Sequence, residues 1–260
     1  MRILVTGGAG YLGSELCLQA LGRGIDVVAT QHRTPAPHGH AILLDVRDAE
    51  AVERAFLRCG PDVVVHTAYV LGGPELHDVV VRGTSAVANA AERIGARLVH
   101  MSTDLVFDGD DGAPYSEADE PRPVTAYGAA KAEAETLVGD DALVVRTSIL
   151  YGKREPGPQE RLAARDDVTF FSDEIRCPTL VTELAAALLD LAALDVTGPL
   201  HVAAPEAVSR QTFAELLRRG PAPGGPTPPG RARDVTLDSR KAAEILGKPL
   251  TGVRGALGVG

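Results

Sequence analysis

The sequence contains few cysteines, few aromatic side chains and no excess of basic residues. Among 260 residues there are three cysteines and no tryptophan. Cys17, Cys59 and Cys177 are odd in number and share no metal-ligand spacing. We therefore expect reduced thiols and neither a disulfide framework nor a metal site. The formal net charge of −9, without a basic stripe, argues against nucleic acid as a partner.

The chain also lacks a long apolar run. No segment reaches the length that crosses a membrane, and Met1 leads directly into a strand-like segment, which leaves no room for a signal peptide. These features predict a cytoplasmic protein without a membrane partner. The length suits one large α/β domain, or one domain with a small additional lobe.

Short apolar segments rich in β-branched residues alternate with helical patterns. Strands are predicted at 2–5, 26–30, 41–44, 62–66, 97–101, 142–146 and 199–202, and helices near 48–59, 76–94, 125–138 and 181–194. This alternation predicts an α/β fold with a Rossmann-type doubly wound parallel sheet. We assign 1–150 to a dinucleotide-binding domain, to which 178–204 return, and 151–177 and 205–260 to a small C-terminal substrate-binding lobe. Within that lobe, the Gly- and Pro-rich residues 220–230 are predicted to form a mobile loop without regular structure.

A glycine-rich turn follows the first predicted strand. Gly7, Gly10 and Gly13 have the spacing G-x-x-G-x-x-G, and leucines at helical spacing come after them. Glycine lets the backbone approach a pyrophosphate, whose charge is also stabilised by a helix N-terminus. The turn therefore predicts a dinucleotide site that includes the glycines, Tyr11 and Leu12. A glycine-rich turn without a ligand is the alternative.

The ends of the next two strands predict which dinucleotide binds. The second strand ends at 31–33 without the carboxylate that NAD-selective enzymes place there. We interpret Arg33, assisted by His32 or Thr30, as the site of the NADPH 2′-phosphate; a solvated arginine is the alternative. After the third strand, Asp45-Val46 is placed to hold the adenine, although Asp45 could instead cap the helix that starts near Asp48.

A tyrosine and a lysine four residues apart indicate the chemistry. Tyr127 and Lys131 are predicted to share one helix face. There the lysine ammonium favours the phenolate and makes the tyrosine a usable acid or base. Thr103 follows the strand 97–101, where its hydroxyl could lie beside a substrate carbonyl; a turn cap is the alternative. Together with the dinucleotide site, these residues predict hydride transfer at a carbonyl or carbinol carbon.

Segments spread over nearly the whole chain resemble the extended short-chain dehydrogenase/reductases, and among them the dTDP-4-dehydrorhamnose reductases. The most specific is Ser-Thr-Asp-Leu-Val-Phe-Asp-Gly at 102–109; the others are 7–13, 114–117, 127–131, 146–152, 176–179 and 237–239. The resemblance implies that Tyr127 donates a proton to the substrate oxygen. It further implies that Lys131 holds the nicotinamide ribose and lowers the tyrosine pKa, and that Thr103 hydrogen-bonds the substrate oxygen.

The same resemblance implies NADPH as the reductant and a nucleotide-diphosphate keto-sugar as the substrate. Backbone groups of 67–69 and the side chain of Ser102 would contact the cofactor, and 146–148 would close its nicotinamide end. The implied cofactor contacts are thus Thr67, Ala68, Tyr69, Ser102, Tyr127 and Lys131, in addition to the glycine turn and the strand ends. The implied substrate contacts are Thr103, Asp104, Leu105, Val106, Tyr127 and Arg161.

Three departures from the family pattern bear on the substrate. Leu105 replaces a family tyrosine, Val80 stands where such reductases commonly have asparagine, and the predicted substrate lobe is short. Lys153, Arg154 and Arg161 could bind a diphosphate or could be solvated loop charges.

A reductase of another ketose or of a non-sugar ketone fits these departures equally well. An epimerase is disfavoured because no acid lies at 31–33. A non-catalytic NADP-binding regulatory subunit is disfavoured because it would not need the set Thr103, Tyr127 and Lys131. The sequence does not determine the oligomeric state and leaves a homodimer open.

Overall fold

The computed structural model describes residues 1–110, 114–152 and 155–259. The strands are β1 (Arg2–Thr6), β2 (Asp26–Gln31), β3 (His40–Leu43), β4 (Val63–His66), β5 (Arg97–Thr103), β6 (Leu143–Thr147), β7 (Leu150–Tyr151), β8 (Phe170–Phe171), β9 (Ile175–Arg176), β10 (Thr179–Leu180), β11 (Gly198–His201), β12 (Val208–Ser209) and β13 (Gly224–Gly225). The helices are α1 (Tyr11–Gly22), α2 (Ala49–Cys59), α3 (Gly83–Ile94), α4 (Ala126–Glu135), α5 (Pro158–Ala163), α6 (Val181–Ala192), α7 (Arg210–Arg218), α8 (Arg240–Leu246) and α9 (Val253–Leu257). A π-helical segment, Asp78–Arg82, leads into α3, and a 3-10 turn, Asp104–Val106, follows β5.

Within the described residues, seven strands form the central sheet, in the order β11-β6-β5-β4-β1-β2-β3. β1 pairs in parallel with both β2 and β4, which in turn pair in parallel with β3 and β5. The strand order therefore reverses beside β1, and the carboxyl ends of β1 and β4 lie at the switch point where open α/β sheets bind ligands. The predicted α/β fold with a doubly wound parallel sheet is confirmed.

The local sequence explains why these elements form where they do. All four residues of β4 are buried, as expected for a parallel strand covered on both faces. Asp48 is the N-cap of α2, and its side chain accepts a hydrogen bond from the Ala51 amide at 2.9 Å. The helix is terminated by Gly60, which adopts the left-handed conformation. The alternative that Asp45 caps this helix is therefore wrong.

Backbone contacts divide the chain into two compact units. The first comprises Met1–Ser102, Ala129–Val145 and Ala185–Pro199, and the second comprises Thr103–Gly128, Arg146–Leu184 and Leu200–Gly260. One core of the first unit includes Leu4, Phe56, Val64 and Leu98. One core of the second includes Tyr151, Val208, Phe213 and Val253. The assignment of a cofactor domain and a substrate lobe to particular residues stays a prediction.

The segment 220–230 contains regular structure, contrary to expectation. β13 pairs in parallel with β8, and the Phe170 amide donates to the Pro223 carbonyl oxygen at 2.8 Å. A Cβ on Gly224 would lie 2.2 Å from the end of the Gln211 side chain, so a larger residue there would require that side chain to move. The prediction of a loop failed because this strand is formed by pairing with a distant segment and has no local pattern of its own.

None of the helices in the described part of the chain combines the length and the apolar character needed to cross a membrane.

Candidate active site

The glycine-rich turn between β1 and α1 is closely packed. A Cβ on Gly13 would lie 2.3 Å from the Gly7 carbonyl oxygen. Gly7 has a φ of +69°, and a Cβ there would lie 2.9 Å from the backbone of Ala68. The Gly7 amide donates to the Thr30 hydroxyl at 3.1 Å. Any side chain at Gly7 or Gly13 would therefore collide with backbone atoms, because β1, α1 and the segment after β4 approach closely here.

A groove of about 310 Å³ opens beside this turn. It is lined by nine of the predicted cofactor residues, namely Gly7, Gly10, His32, Arg33, Asp45, Val46, Thr67, Ala68 and Tyr69. Tyr11, Leu12 and Gly13 form the first turn of α1, with Tyr11 half-buried and Leu12 buried. A groove bounded by a helix N-terminus and a turn that excludes Cβ atoms fits a dinucleotide.

Charged side chains are paired around this groove. Arg33 donates to both carboxylate oxygens of Glu75, each at 3.2 Å. Arg47 donates to Glu75 at 3.1 Å and to Asp45 at 2.6 Å. The hydrogen bonds from Arg47 lower the pKa of Asp45 to about 2. His32 Nδ1 lies 4.0 Å from Asp45.

Sequence reasoning missed Arg47 and Glu75. Glu75 comes from the segment after β4 and is 42 residues from Arg33, so no local spacing relates them.

A buried polar network surrounds His66, the last residue of β4. His66 Nδ1 is 2.6 Å from the Thr6 hydroxyl, and its Nε2 is 3.1 Å from the Thr84 hydroxyl. The His100 ring lies 5.4 Å from the His66 ring, centroid to centroid. Among the described residues, neither ring nitrogen of His100 has a hydrogen-bond partner. Burial, together with the charge of Lys131, lowers the pKa of His66 to about 3 and that of His100 well below its usual range.

Lys131 is held against the end of β5. Its side chain is buried, and its Nζ donates to the Met101 carbonyl oxygen at 2.7 Å. Burial lowers the pKa of Lys131 to about 8, against the opposing effect of Glu135. The Nζ also lies 6.0 Å from the centroid of the Tyr69 ring. The ammonium is therefore desolvated, and its charge acts strongly on neighbouring groups.

The hydroxyl of Ser102 donates to the carboxylate of Glu135 at 2.5 Å. Both residues belong to the first compact unit. Glu135 lies one helical turn after Lys131 in α4 and was not among the residues predicted to form the site. The spacing of four residues between Lys131 and Glu135 could have indicated that the acid lies on the same helix face as the lysine.

Thr103 caps the turn that follows β5, while its contact with a substrate oxygen stays a prediction. Its hydroxyl oxygen accepts from the Leu105 amide at 3.2 Å and so caps the 3-10 turn. The same hydroxyl donates to Asp104 Oδ1 at 3.0 Å. To donate to a substrate oxygen, the hydroxyl would have to rotate away from Asp104.

Tyr127 lies near this turn because of the glycine that follows it. A Cβ on Gly128 would be 2.1 Å from the Leu105 carbonyl oxygen, so α4 contacts the 3-10 turn main chain to main chain. Tyr127 and Lys131 are both in α4 and are four residues apart, which places them on one helix face.

The predicted substrate residues differ in exposure. Asp104 is buried, accepts from Ser148 at 2.6 Å and lies 3.8 Å from Arg176. Burial raises the pKa of Asp104, against the opposing effect of Arg176. Leu105 is half-buried. Val106 is completely buried, and its carbonyl oxygen accepts from the Arg122 amide at 2.8 Å. Of the three consecutive residues 104–106, Leu105 alone offers appreciable side-chain surface to a ligand.

The basic candidates for a diphosphate site are only partly described. Arg161, in α5, donates to the Pro156 carbonyl oxygen, while Lys153 and Arg154 lie outside the described residues. All three residues of the segment 146–148 are buried, and Thr147 donates to the Val202 carbonyl oxygen at 2.8 Å. No group of three or more His, Cys, Asp or Glu side chains is placed to hold a metal ion in the part of the chain that the structure describes.

Half of the Ser-Thr-Asp-Leu-Val-Phe-Asp-Gly segment is structural. Phe107 stacks on Tyr115 with 4.2 Å between ring centroids, and the Tyr115 hydroxyl donates to Asp108 at 2.7 Å. A Cβ on Gly109 would lie 2.7 Å from the amide nitrogen of Arg233. The second part of the segment therefore fixes the second compact unit, while its first part presents Thr103.

Comparison with known proteins identifies the relatives of this chain. The family model described as the RmlD substrate binding domain matches residues 1–251. A relative from Mycobacterium tuberculosis, named dTDP-4-dehydrorhamnose reductase, is 35% identical over 286 residues, covering 98% of this chain and 91% of its own.

Two solved structures show the same fold over the full chain. A hypothetical dTDP-4-dehydrorhamnose reductase from Sulfolobus tokodaii is 28% identical, has a TM-score of 0.86, and is matched over 98% of this chain and 99% of its own. The enzyme WbmG from Bordetella bronchiseptica, solved in complex with NAD and UDP, is 26% identical with a TM-score of 0.85, over 99% and 94% of the two chains. The resemblance predicted from the sequence is confirmed: the chain belongs to the RmlD substrate binding domain family and is an enzyme of the oxidoreductase class.

Proposed function

We propose that this chain is an NADPH-dependent ketoreductase that converts the 4-keto group of a nucleotide-linked deoxysugar to a hydroxyl group. The observation that best supports this is the position of α4 at the end of β5. Lys131 contacts Met101, Glu135 contacts Ser102, and Gly128 approaches Leu105. A protein that only bound the dinucleotide would not need a desolvated lysine and a tyrosine on one helix face. The sugar nucleotide is proposed because the M. tuberculosis relative is named for such a substrate.

The groove beside the glycine turn is the proposed cofactor site. Gly7, Gly10 and the first turn of α1 would hold the pyrophosphate, since glycines and free helix amides suit that anion. Arg33 and His32 would face the 2′-phosphate, Asp45 and Val46 the adenine, and Lys131 the nicotinamide ribose. When bound, the reduced nicotinamide supplies the hydride that the ketone carbon receives.

Tyr127 is the proposed proton donor. Negative charge develops on the ketone oxygen during reduction, and the phenol of Tyr127 would transfer its proton to that oxygen. The Lys131 ammonium would stabilise the phenolate that this transfer leaves, an effect that burial strengthens. The Thr103 hydroxyl would donate a second hydrogen bond to the same oxygen once it turns from Asp104.

The test is a reduction assay with purified protein, NADPH or NADH, and a panel of ketones. The panel contains dTDP-, UDP- and GDP-linked 4-keto-6-deoxysugars and simple ketones, and loss of the reduced cofactor is followed by its absorbance. We expect oxidation of NADPH in proportion to the sugar alcohol formed. Interconversion of two sugar epimers without net oxidation would instead indicate an epimerase, and no turnover with any ketone would contradict the proposal.

A further inference from the structure

The groove assigned to the cofactor contains a carboxylate that competes for its basic residues. Arg33 and Glu75 form a paired contact through both guanidinium NH groups, with two distances of 3.2 Å. Glu75 also accepts from Arg47 at 3.1 Å. All three residues line the groove. The Glu75 carboxylate thus accepts hydrogen bonds from two guanidiniums, at the end of the groove next to the carboxyl end of β2.

The charges at this end of the groove balance. Arg33 and Arg47 are positive, and Glu75 and Asp45 are negative. Asp45 is committed to Arg47 through hydrogen bonds of 2.6 to 3.0 Å, and His32 lies 4.0 Å from the same carboxylate. Glu75 is therefore the acid that neutralises Arg33.

The Arg33–Glu75 pair can be displaced by an anion. The Arg33 side chain is 71% exposed, and exposed ion pairs contribute little to stability. A phosphate dianion carries more charge than a carboxylate and also accepts two hydrogen bonds from one guanidinium. A phosphate that reached Arg33 would replace Glu75, but it would be repelled by that carboxylate if the side chain stayed nearby.

We propose that Glu75 is a specificity-determining residue of the cofactor site, which competes with the 2′-phosphate for Arg33 and Arg47 and so narrows the preference for NADPH over NADH. This inference rests on the proposed assignment of the groove to the dinucleotide and of Arg33 to the 2′-phosphate. It differs from the expectation drawn from 31–33 alone, because that segment lacks an acid while the folded chain supplies one from Glu75. Selectivity is then set by a balance between attraction and repulsion at one position.

The test measures binding, without catalysis. Dissociation constants of NADPH and NADH are measured by nicotinamide fluorescence, and those of 2′,5′-ADP and 5′-ADP by calorimetry, for the wild-type chain and for Glu75→Gln. Gln is close to Glu in size and removes only the charge. The matched control is Glu53→Gln, because Glu53 pairs with Arg93 at 2.7 Å on the surface of α2 and does not line the groove.

For Glu75→Gln, we expect NADPH and 2′,5′-ADP to bind about three- to tenfold more tightly, and this gain should shrink as ionic strength rises. Binding of NADH and 5′-ADP should change less than twofold, and Glu53→Gln should match the wild type. In the Arg33→Ala background, adding Glu75→Gln should give no such gain in NADPH affinity, because the arginine for which Glu75 competes is absent. Unchanged NADPH affinity in Glu75→Gln would overturn the inference, even if NADH binding weakened.

These outcomes are separable from failure of the proposed function. If the protein reduces no ketone but Glu75→Gln still binds NADPH more tightly, the inference about Glu75 is supported and the proposed reaction is contradicted. If the protein reduces keto-sugars but Glu75→Gln leaves the NADPH affinity unchanged, the proposed reaction is supported and the inference about Glu75 is contradicted.

Discussion

Gly128 approaches Leu105 so closely that a Cβ on residue 128 would lie 2.1 Å from the Leu105 carbonyl oxygen. The neighbouring atom is backbone and cannot move aside as a flexible side chain would. Gly128→Ala must therefore displace α4 or the 3-10 turn, and we expect it to destabilise the fold by roughly 1–3 kcal/mol.

The same variant should also lower turnover, because Tyr127 is next to the displaced residue. Thermal unfolding and steady-state kinetics measure the two effects. Gly22→Ala is the control, since a Cβ there would contact nothing within 4 Å and Gly22 is in α1. A Gly128→Ala variant as stable and as active as Gly22→Ala would contradict this account of the site.

Substitutions of the proposed proton donor and its lysine should have separable effects. Tyr127→Phe removes one hydroxyl, so we expect folding and cofactor binding to survive while kcat falls by about 10²-fold or more. Lys131→Met removes a buried charge and should lower kcat and weaken cofactor binding together.

In the wild type, kcat/KM should fall as the pH rises through about 8, the pKa to which burial lowers Lys131, because the ammonium is lost. Activity assays across the pH range measure kcat and kcat/KM for the wild type and both variants. Binding titrations measure the affinity for the cofactor. Full activity in Tyr127→Phe would assign the proton to another group.

The Thr103 hydroxyl should matter for catalysis beyond its cap. Thr103→Ser keeps the hydroxyl that bonds Leu105 and Asp104, so we expect activity within about tenfold of the wild type. Thr103→Val keeps the shape but cannot donate, and a lost donor to a developing oxyanion typically costs about 10²-fold in kcat. Kinetics of the two variants at matched stability distinguish the roles. Equal activity would leave Thr103 with its capping role alone.

The buried histidines should make the fold sensitive to mild acid. The folded chain keeps His66 and His100 neutral because their pKa values are lowered by burial and by Lys131. The unfolded chain takes up protons at an ordinary histidine pKa of about 6.5, so it binds more protons than the folded chain below that pH. The free energy of unfolding should therefore fall as the pH drops below about 6.5, by roughly 1.4 kcal/mol for each histidine at about pH 5.5.

Denaturant titrations at several pH values measure this slope. His100→Leu should flatten it at no cost near neutral pH, because it removes two ring nitrogens that have no hydrogen-bond partner within the described residues. His66→Leu should cost stability, since it leaves the hydroxyls of Thr6 and Thr84 without the ring. The exposed His40 supplies the control, His40→Gln. An unaltered slope in His100→Leu would show that this ring titrates normally.

Leu105 should influence which ketone is preferred. Its amide and carbonyl are fixed by Thr103 and by the approach of Gly128, whereas its side chain is only half-buried. Leu105→Tyr should therefore leave stability nearly unchanged while changing relative kcat/KM values among dTDP-, UDP- and GDP-linked keto-sugars by about tenfold or more, the scale of one polar contact. An unchanged ranking would place substrate recognition elsewhere.

The sequence predicted the features that depend on local pattern. Alternating strands and helices, the glycines at 7, 10 and 13, and the helical spacing of Tyr127 and Lys131 all have signals within a short window. Features formed by distant residues had no such signal. Glu75 pairs with Arg33 across 42 residues, and the two glycines of β13 become a strand only by pairing with β8. Local pattern could not decide between the two roles of Thr103, because a hydroxyl that caps a turn can also donate a hydrogen bond to another group.

The partner of Lys131 is a main-chain carbonyl, that of Met101. A main-chain acceptor is present whichever amino acid occupies position 101, so mutation at that position cannot delete it. The strand can therefore accept different apolar residues at 101 over evolutionary time, as the neighbouring packing changes, while the ammonium keeps its anchor. The position of the Lys131 ammonium therefore depends on the main chain of β5, which a side-chain substitution does not remove.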